Sequence, residues 1–499
     1  MVSKDDFTFE EAEELFCQIK ATLNDEATML KNMHSVEEDL ICKGRKLSCR
    51  LLQGYLNRCG NGDIGKEIIT SKNVRLAVKR LRPRTIHTFF GSVILQRIGY
   101  STRGHSSLYP LDAFLNFPST SFSYPLQKLL NREVAKGSID DALQLVHGIT
   151  GIKLSKGKAI DIIISSAHDF DQFYEKKTNI PLDVSSIPIL AITTDGKGVV
   201  MRPEGLREGT KKRREKSQNK HKTRLSKGEK RNAKRMAQVA SLYYIDRFIR
   251  QPKEVFDECC RRKIKAKRPK PVAKRIWASI EKDTAEVIDI LIIQAKQRDP
   301  DQKKEWVVLV DGQDYQIEQI EAALKRHQVQ ATIILDIVHV IEYLWKAAHQ
   351  FFKEGSWECE RWVESKLEQI LEKGGCKTAG SIRMSVAKRL KKEKDKSKVV
   401  EKTAAYIADR SIYTKYNYYL KKGYPIGTGV IEGACRYLVK DRMDITGARW
   451  GLTGAEAVLK LRSILKSQDF NEYWNYHIDQ EYQRNYAAKF SNQLEKLQS

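Results

Sequence analysis

The chain has 499 residues, 41% of them hydrophobic and 30% charged. That length suggests about three domains and leaves material for sizeable cores, which excludes collagen, wholesale disorder and a disulfide-stapled miniprotein. Lys and Arg outnumber Asp and Glu by 89 to 63, and a net charge of +26 makes a polyanion, nucleic acid before any other, the expected partner.

The elements read as follows in chain order. Residues 8–58 have helical spacing, with Glu11, Leu15, Ile19 and Leu23 four apart. Residues 74–100 hold β-rich runs separated by Pro83 and Gly91, a small hairpin unit. From Ser121 to Lys177 the pattern is helical again. Ser138 caps a helix that ends near Gly148 and Gly151, and Ser155 caps the next, which contains Ala159, Ile160, Ile162 and Ile163. This pair has the outline of a helix-turn-helix, or of an ordinary helical hairpin.

At Ile187 the chain turns α/β. A short apolar strand is predicted to end at Asp195-Gly196. Residues 202–235 hold 15 Lys/Arg and 4 Asp/Glu with few large apolar side chains, so they are expected to form a flexible basic loop or arm. A strand follows from Met236, then a basic stretch from Arg261 to Arg275 and a helix from Thr284 to Arg298. The strand beginning at Trp306 ends at Asp311-Gly312, an amphipathic helix covers Tyr315 to His327, and the strand beginning at Ala331 ends at Asp336. Helix is expected from Ile341 to Phe352. Residues 354–420 show no strand pattern, carry the lysine-rich patch Lys388–Lys402, and read as a helical insertion. A last helix runs from about Gly427 to Met443 and carries Glu432.

Three strands that each end in aspartate put Asp195, Asp311 and Asp336 on the rim where ligands of an open α/β sheet gather. Glu432 adds a carboxylate from the far side of the insertion. Acidic side chains that face one another repel, and a divalent cation relieves the repulsion. Oxygen ligands suit Mg²⁺ or Mn²⁺, and two ions roughly 3.5–4 Å apart serve in-line phosphoryl displacement. Taken singly, each Asp-Gly is a common turn device.

Several segments resemble a known family. They are Leu108-Tyr-Pro-Leu-Asp-Ala-Phe-Leu-Asn-Phe-Pro, Thr194-Asp-Gly-Lys-Gly-Val, Gly228-Glu-Lys-Arg-Asn-Ala-Lys-Arg-Met-Ala and Leu335-Asp-Ile-Val-His. The most specific begins Gly427-Thr-Gly-Val-Ile-Glu-Gly-Ala-Cys-Arg-Tyr-Leu-Val-Lys and ends at Met443; Thr446-Gly-Ala-Arg-Trp and Tyr473-Trp-Asn-Tyr-His complete the set. From about residue 75 to 490 the chain resembles the DDE-type transposases of bacterial insertion sequences, most closely the ISKra family and more distantly the Mutator type.

The resemblance implies a ribonuclease-H-like catalytic fold with a helical insertion before the last carboxylate. Asp195 matches the first acidic position and Glu432 the last. For the second, Asp311 is preferred over Asp336, because the Asp311 strand is expected beside the Asp195 strand. Asp336 and His339 then match an Asp-x-x-His element as supporting or DNA-contacting groups. Arg442 and Arg449 are candidate phosphate contacts. Trp450 is a packing residue or a stacking platform for an unpaired base. Lys211, Lys212, Arg213, Arg214, Lys230, Arg231, Lys234 and Arg235 are the candidate DNA-binding cations of the arm.

Relatives often carry a zinc-ribbon-like cysteine set before the Leu-Tyr-Pro-Leu-Asp segment. Residues 100–107 contain none, and the nine cysteines form no CxxC pair, so no zinc is expected. Scattered cysteines of this kind fit reduced thiols in a cytoplasmic protein. The N-terminus does not resemble a signal peptide and no apolar run is bilayer-long, so no membrane partner is expected.

The expected activity is metal-dependent cleavage of double-stranded DNA at inverted repeats, followed by strand transfer into target DNA, by at least a dimer on DNA. A catalytically retired DNA-binding descendant and a structure-specific nuclease on the same fold are the alternatives. The expected segments are an N-terminal helical region (1–70), a β unit (71–118), a helix-turn-helix-like region (119–180), a catalytic domain (185–352 and 421–465, with the arm 202–235), the insertion (353–420) and a helical tail (466–499).

Overall fold

The structure is a computed structural model that describes residues 9–177, 184–217, 226–262, 267–389 and 393–490. The chain forms two compact units, Met1–Phe173 with Asp469–Ser499, and Tyr174–Gln468. The tail thus belongs to the N-terminal unit.

In that unit the helices Glu10–Asn24 and Met33–Arg58 pack together. The antiparallel hairpin Val78–Thr88 with Gly91–Ser101 corrects one expectation: the strand runs unbroken through Pro83, which sits opposite Gln96. Each strand of a two-stranded ribbon has an open edge, where a residue lacking an N–H can sit without breaking the ladder. The short helix Pro110–Phe114 brings Asp112 against Arg84 at 2.7 Å and against Arg97, whose guanidinium stacks 3.6 Å over the Tyr109 ring.

Helices Tyr124–Lys136, Ile139–Thr150 and Lys156–Ser166 pack on one another. The two serine caps lie where the sequence suggests. Ser138 Oγ accepts from the Asp141 N–H at 3.0 Å, Ser155 Oγ accepts from the Lys158 N–H at 3.3 Å, and Gly151 ends the first helix at φ +73°.

The C-terminal helix Phe470–Tyr482 is tied in by the Tyr473 hydroxyl, which donates to the Ser166 carbonyl at 2.6 Å. The buried Asp169 meets His477 at 2.7 Å and Arg484 at 2.9 Å. Burial pushes the Asp169 carboxyl up, but the hydrogen bonds and charges of His477 and Arg484 outweigh it and hold it at about 2, below its ordinary 3.8. A depressed carboxyl stabilises fully above its ordinary value, and that contribution fades as pH falls through the folded value. Acid unfolding between about pH 4 and pH 2 should therefore be shallower in Asp169→Asn than in wild type, whereas parallel limbs would show that this group does not drive the transition.

The second unit is mixed α/β around one five-stranded sheet. Its strands are β1 (Ile189–Val200), β2 (Lys234–Ile245), β3 (Val272–Ser279), β4 (Glu305–Val310) and β5 (Thr332–Leu335). The order across the sheet is β3-β2-β1-β4-β5, with β2 antiparallel to β1 and β3, and β4 parallel to β1 and β5. The near-continuous apolar runs of β1 and β4 are buried, as central strands covered on both faces require. Helix Thr284–Arg298 packs on β1 and β2, and helix Leu452–Lys466 on β3.

Here the structure departs from the sequence in three ways. First, β1 does not end at Asp195-Gly196 but continues to Val200, because β2 runs beside it for its whole length. Gly196 and Gly198 allow that approach: a Cβ on Gly196 would stand 3.0 Å from Met236 Cε. Only the parallel partner stops, at Thr193 opposite Leu309. Second, β3 begins within the stretch Arg261–Arg275, which reads as merely basic, and runs four residues past it. Lys274 and Arg275 interrupt its apolar pattern, yet Arg275 is buried with its guanidinium 3.3 Å over the Tyr174 ring. Third, the basic arm is partly ordered, with helices Glu208–Ser217 and Lys227–Arg231; residues 218–225 lie outside the described ones. A Ser226–Glu229 capping box starts the second helix, and Asn232 Nδ2 donates to Arg213 O at 3.2 Å and Ser217 Oγ at 3.1 Å, joining the two.

Helix Ile337–Phe351 starts earlier than expected, directly after Asp336, and the insertion consists of helices Trp357–Lys373, Gly375–Arg389, Lys394–Asp409 and Tyr416–Lys421. Residues 390–392 of its lysine-rich patch lie outside the described ones.

Candidate functional site

The carboxylates singled out in the sequence come from four elements of the second unit. Asp195 sits within β1, at the level where β4 leaves its side. Its Oδ1 accepts from the Gly196 N–H at 2.6 Å, and its Oδ2 accepts from the Cys435 thiol at 3.2 Å. Cys435 lies three residues after Glu432, so this contact ties the Glu432 helix to β1. Burial, then the Asp195 charge, push the thiol far up, which keeps it a neutral donor.

Asp311 follows β4 directly, and its Oδ1 accepts from the Gln313 N–H at 2.9 Å. The bend after it requires Gly312, which has φ +91°; a Cβ there would collide with the Tyr406 hydroxyl and approach Leu335 Cδ1 to 2.8 Å. The insertion braces this bend. Tyr406 donates to the Asp311 carbonyl at 2.7 Å and stacks on Tyr343 at 3.9 Å, while Arg410 Nε donates to the Gly312 carbonyl at 2.5 Å. Tyr416, fully buried, donates to the Leu335 carbonyl at 2.8 Å, just before Asp336. Here Tyr406 and Tyr416 hold the ends of β4 and β5. The one signal for this role is the helical i, i+4 spacing of Tyr406 and Arg410.

Asp336 is fully buried and caps helix Ile337–Phe351. Its Oδ1 accepts from the Val338 N–H at 2.9 Å; its Oδ2 meets His339 Nδ1 at 2.9 Å and accepts from Thr428 Oγ1. The hydrogen bond and charge of Asp336 raise the His339 imidazole to about 9 against the opposing effect of burial, so it carries a proton at neutral pH. Thr428 Oγ1 also lies 3.5 Å from Glu432 Oε1, so the two acids are neighbours on either side of one hydroxyl, whose single proton goes to Asp336.

Among the described residues, Asp336, His339 and Glu432 each offer a ligand atom within 4.8 Å of the others. This compact group differs from the expected trio of Asp195, Asp311 and Glu432. Asp311 joins it through charge: burial first, then the neighbouring Asp195 and Asp336, push the Asp311 carboxyl up, while His339 pulls it down. Burial and then Asp336 likewise raise Glu432. Mutual repulsion among acids near one imidazolium is the condition that a bound divalent cation relieves. The carboxylate oxygens are donors that fit Mg²⁺ or Mn²⁺; protonated His339 has no lone pair to offer and stands beside them as a hydrogen-bond donor.

The other candidates separate by exposure. Arg442 and Trp450 are buried, with the guanidinium 4.9 Å from the indole ring and Trp450 Nε1 donating to the Met443 carbonyl at 3.0 Å. Neither faces solvent, so the readings of Arg442 as a phosphate contact and of Trp450 as a stacking platform give way to packing; Arg449 is exposed. Arg235 is likewise committed, its guanidinium donating to the carbonyls of Ile280, Gly205 and Glu281 at 2.7–3.2 Å. Lys212, Arg213, Lys230, Arg231 and Lys234 are exposed, Arg214 is half-buried, and Lys211 pairs with Glu208 at 2.7 Å.

No protein-family model matches the chain, and no curated protein matches it. No helix among the described residues is long and apolar enough to cross a membrane.

Proposed function

We propose that the chain is a DDE-type transposase with a ribonuclease-H-like catalytic domain, acting on double-stranded DNA with Mg²⁺ or Mn²⁺. One observation carries the reading: Asp195 and Asp311 lie on adjacent central strands, and a helix beyond the insertion returns Glu432 to Asp336, all within a chain of net charge +26. The strand order, with three antiparallel strands followed by two parallel ones, agrees with that fold.

Asp195, Asp311 and Glu432 are the residues that would hold the cation, with Asp336 and His339 in support. When bound, the cation supplies Lewis acidity to the attacking and departing oxygens of a phosphodiester. Asp336 fixes the His339 ring and Thr428, whose hydroxyl stands beside Glu432. Protonated His339 can donate to a phosphate oxygen. The exposed cations between Lys212 and Lys234 grip the backbone, and joining two element ends calls for at least two copies of the chain.

The test is a supercoiled plasmid carrying the flanking ends, incubated with protein and either cation. Excised or joined products support the transposase. Binding without cutting points to a retired descendant, and nicking away from the ends points to a nuclease. Affinity for DNA should fall steeply with salt, at close to one counterion released per phosphate contact. Replacing Lys212, Arg213, Lys230 and Arg231 together with alanine should flatten that slope, and an unchanged slope would remove these residues from the interface.

A further inference from the structure

A cavity of about 580 Å³ lies beside the carboxylate cluster. Val338, Gly427 and Gly429 form part of its lining, and two of them, Val338 and Gly427, also border Asp336 of the cluster. The Val338 N–H binds Asp336 Oδ1 at 2.9 Å, and a Cβ on Gly427 would stand 3.7 Å from that oxygen. Cavity and cluster therefore share a wall. Its volume falls within the range of pockets that enclose small organic ligands.

Away from that wall the lining is mainly apolar, with the aromatic rings of Phe248 and Tyr424. Its charged members are Asp246, Arg261, the Glu258–Arg268 pair at 2.7 Å and, with a donor left unmet, Arg250. It is 8% exposed, its guanidinium lies 4.7 Å from the centre of the Phe248 ring, and its Nε is buried with no hydrogen-bond partner among the described residues. Burial pulls its pKa down to about 10. A buried donor left unmet is costly, more so in a charged group, so a ligand that brings an acceptor into this cavity recovers that loss.

We propose that the cavity receives one unpaired nucleobase, stacked on its aromatic walls with Arg250 donating to an acceptor on the base edge, while the attached phosphate lies at the carboxylate cluster. Aromatic rings, a planar cation and one directional donor together match a flat heteroaromatic ring with polar edges. The proposal rests on the DNA-processing reading of the cluster and adds a subsite to it. The base can come from a DNA strand or from a free nucleotide.

The test compares two short labelled duplexes, identical except that one carries a single unpaired adenine and the other an abasic unit at the same place. Their binding to the full chain is followed by anisotropy at fixed salt. The base-bearing duplex should bind about tenfold tighter, the scale of one stacked base. Arg250→Met and Gly429→Leu should each bring the ratio close to one while leaving the abasic duplex unaffected. Nothing stands within 4 Å of a Cβ at Gly429, so leucine enters the cavity without a clash and serves if the arginine variant does not fold. Competition by free deoxyadenosine monophosphate down to the abasic level assigns the cavity to free nucleotides as well; no competition assigns it to the strand alone. Equal binding of the two duplexes overturns the proposal, as does a preference that survives both variants. Base preference without cleavage of any DNA would end the transposase reading and leave the cavity assignment standing, and cleavage without preference would do the reverse.

Discussion

Asp195→Asn is expected to leave DNA affinity within about twofold of wild type while lowering cleavage by roughly 10²–10³-fold, the scale of losing one preorganised electrostatic partner. Asparagine keeps one oxygen to accept from the Gly196 N–H and turns its amide NH₂ toward the Cys435 sulfur, a weak acceptor, so the side chain can keep its place. What disappears is a negative charge between β1 and β4, and with it one partner for a cation. The exposed cations proposed to grip phosphate belong to other segments and are untouched. Asp336→Asn should behave differently. Asp336 is fully buried, caps a helix and holds both His339 and Thr428, so its replacement should lower thermal stability as well as activity. Anisotropy, gel-resolved cleavage and a melting curve on both variants separate the two roles. Asp195→Asn cutting at the wild-type rate would refute the site assignment.

Asp112→Ala is expected to destabilise the N-terminal unit by about 3–5 kcal/mol, the cost of removing one partner from a buried ion group. Asp112 is 4% exposed and pairs with both Arg84 and Arg97, each of them largely buried. Burial pushes the Asp112 carboxyl up and the Arg97 guanidinium down, against their mutual attraction, so neither charge is well hydrated in the fold. Alanine would leave two guanidinium groups facing each other without a counter-charge. Urea unfolding monitored by circular dichroism measures the loss, and a midpoint unchanged from wild type would show that the arginines find other partners. The Leu108-Tyr-Pro-Leu-Asp segment therefore holds this unit together. Tyr109 stacks on Arg97, Pro110 starts the short helix, and Asp112 binds the hairpin.

Much of the second unit was legible because its central strands are nearly unbroken apolar runs and its helices carry periodic apolar faces. The strandless insertion could be read the same way, as could both serine-capped helices. β3 was hidden, since an edge strand tolerates Lys274 and Arg275 and so loses the alternation that marks a strand. The end of β1 was misplaced, because Asp195-Gly196 has turn chemistry while β2, more than thirty residues away, supplies the pairing that carries the strand on. In the candidate site, the acids Asp195, Asp311, Asp336 and Glu432 stood out by position. Their bracing by Tyr406, Arg410, Tyr416 and Thr428 did not, because long-range hydrogen bonds leave no periodic trace.

By itself, the sequence determined the positive charge, the mixed α/β character of the second unit and the aspartates that follow β4 and β5, because composition and short-range periodicity express these directly. Only the tertiary structure decided which acids lie close enough to share a ligand, that Arg235, Arg442 and Trp450 turn inward, and that a cavity holding Arg250 opens beside the cluster. Each of these depends on packing between segments far apart in the chain, where burial and unmet hydrogen bonds, rather than local preference, set the outcome.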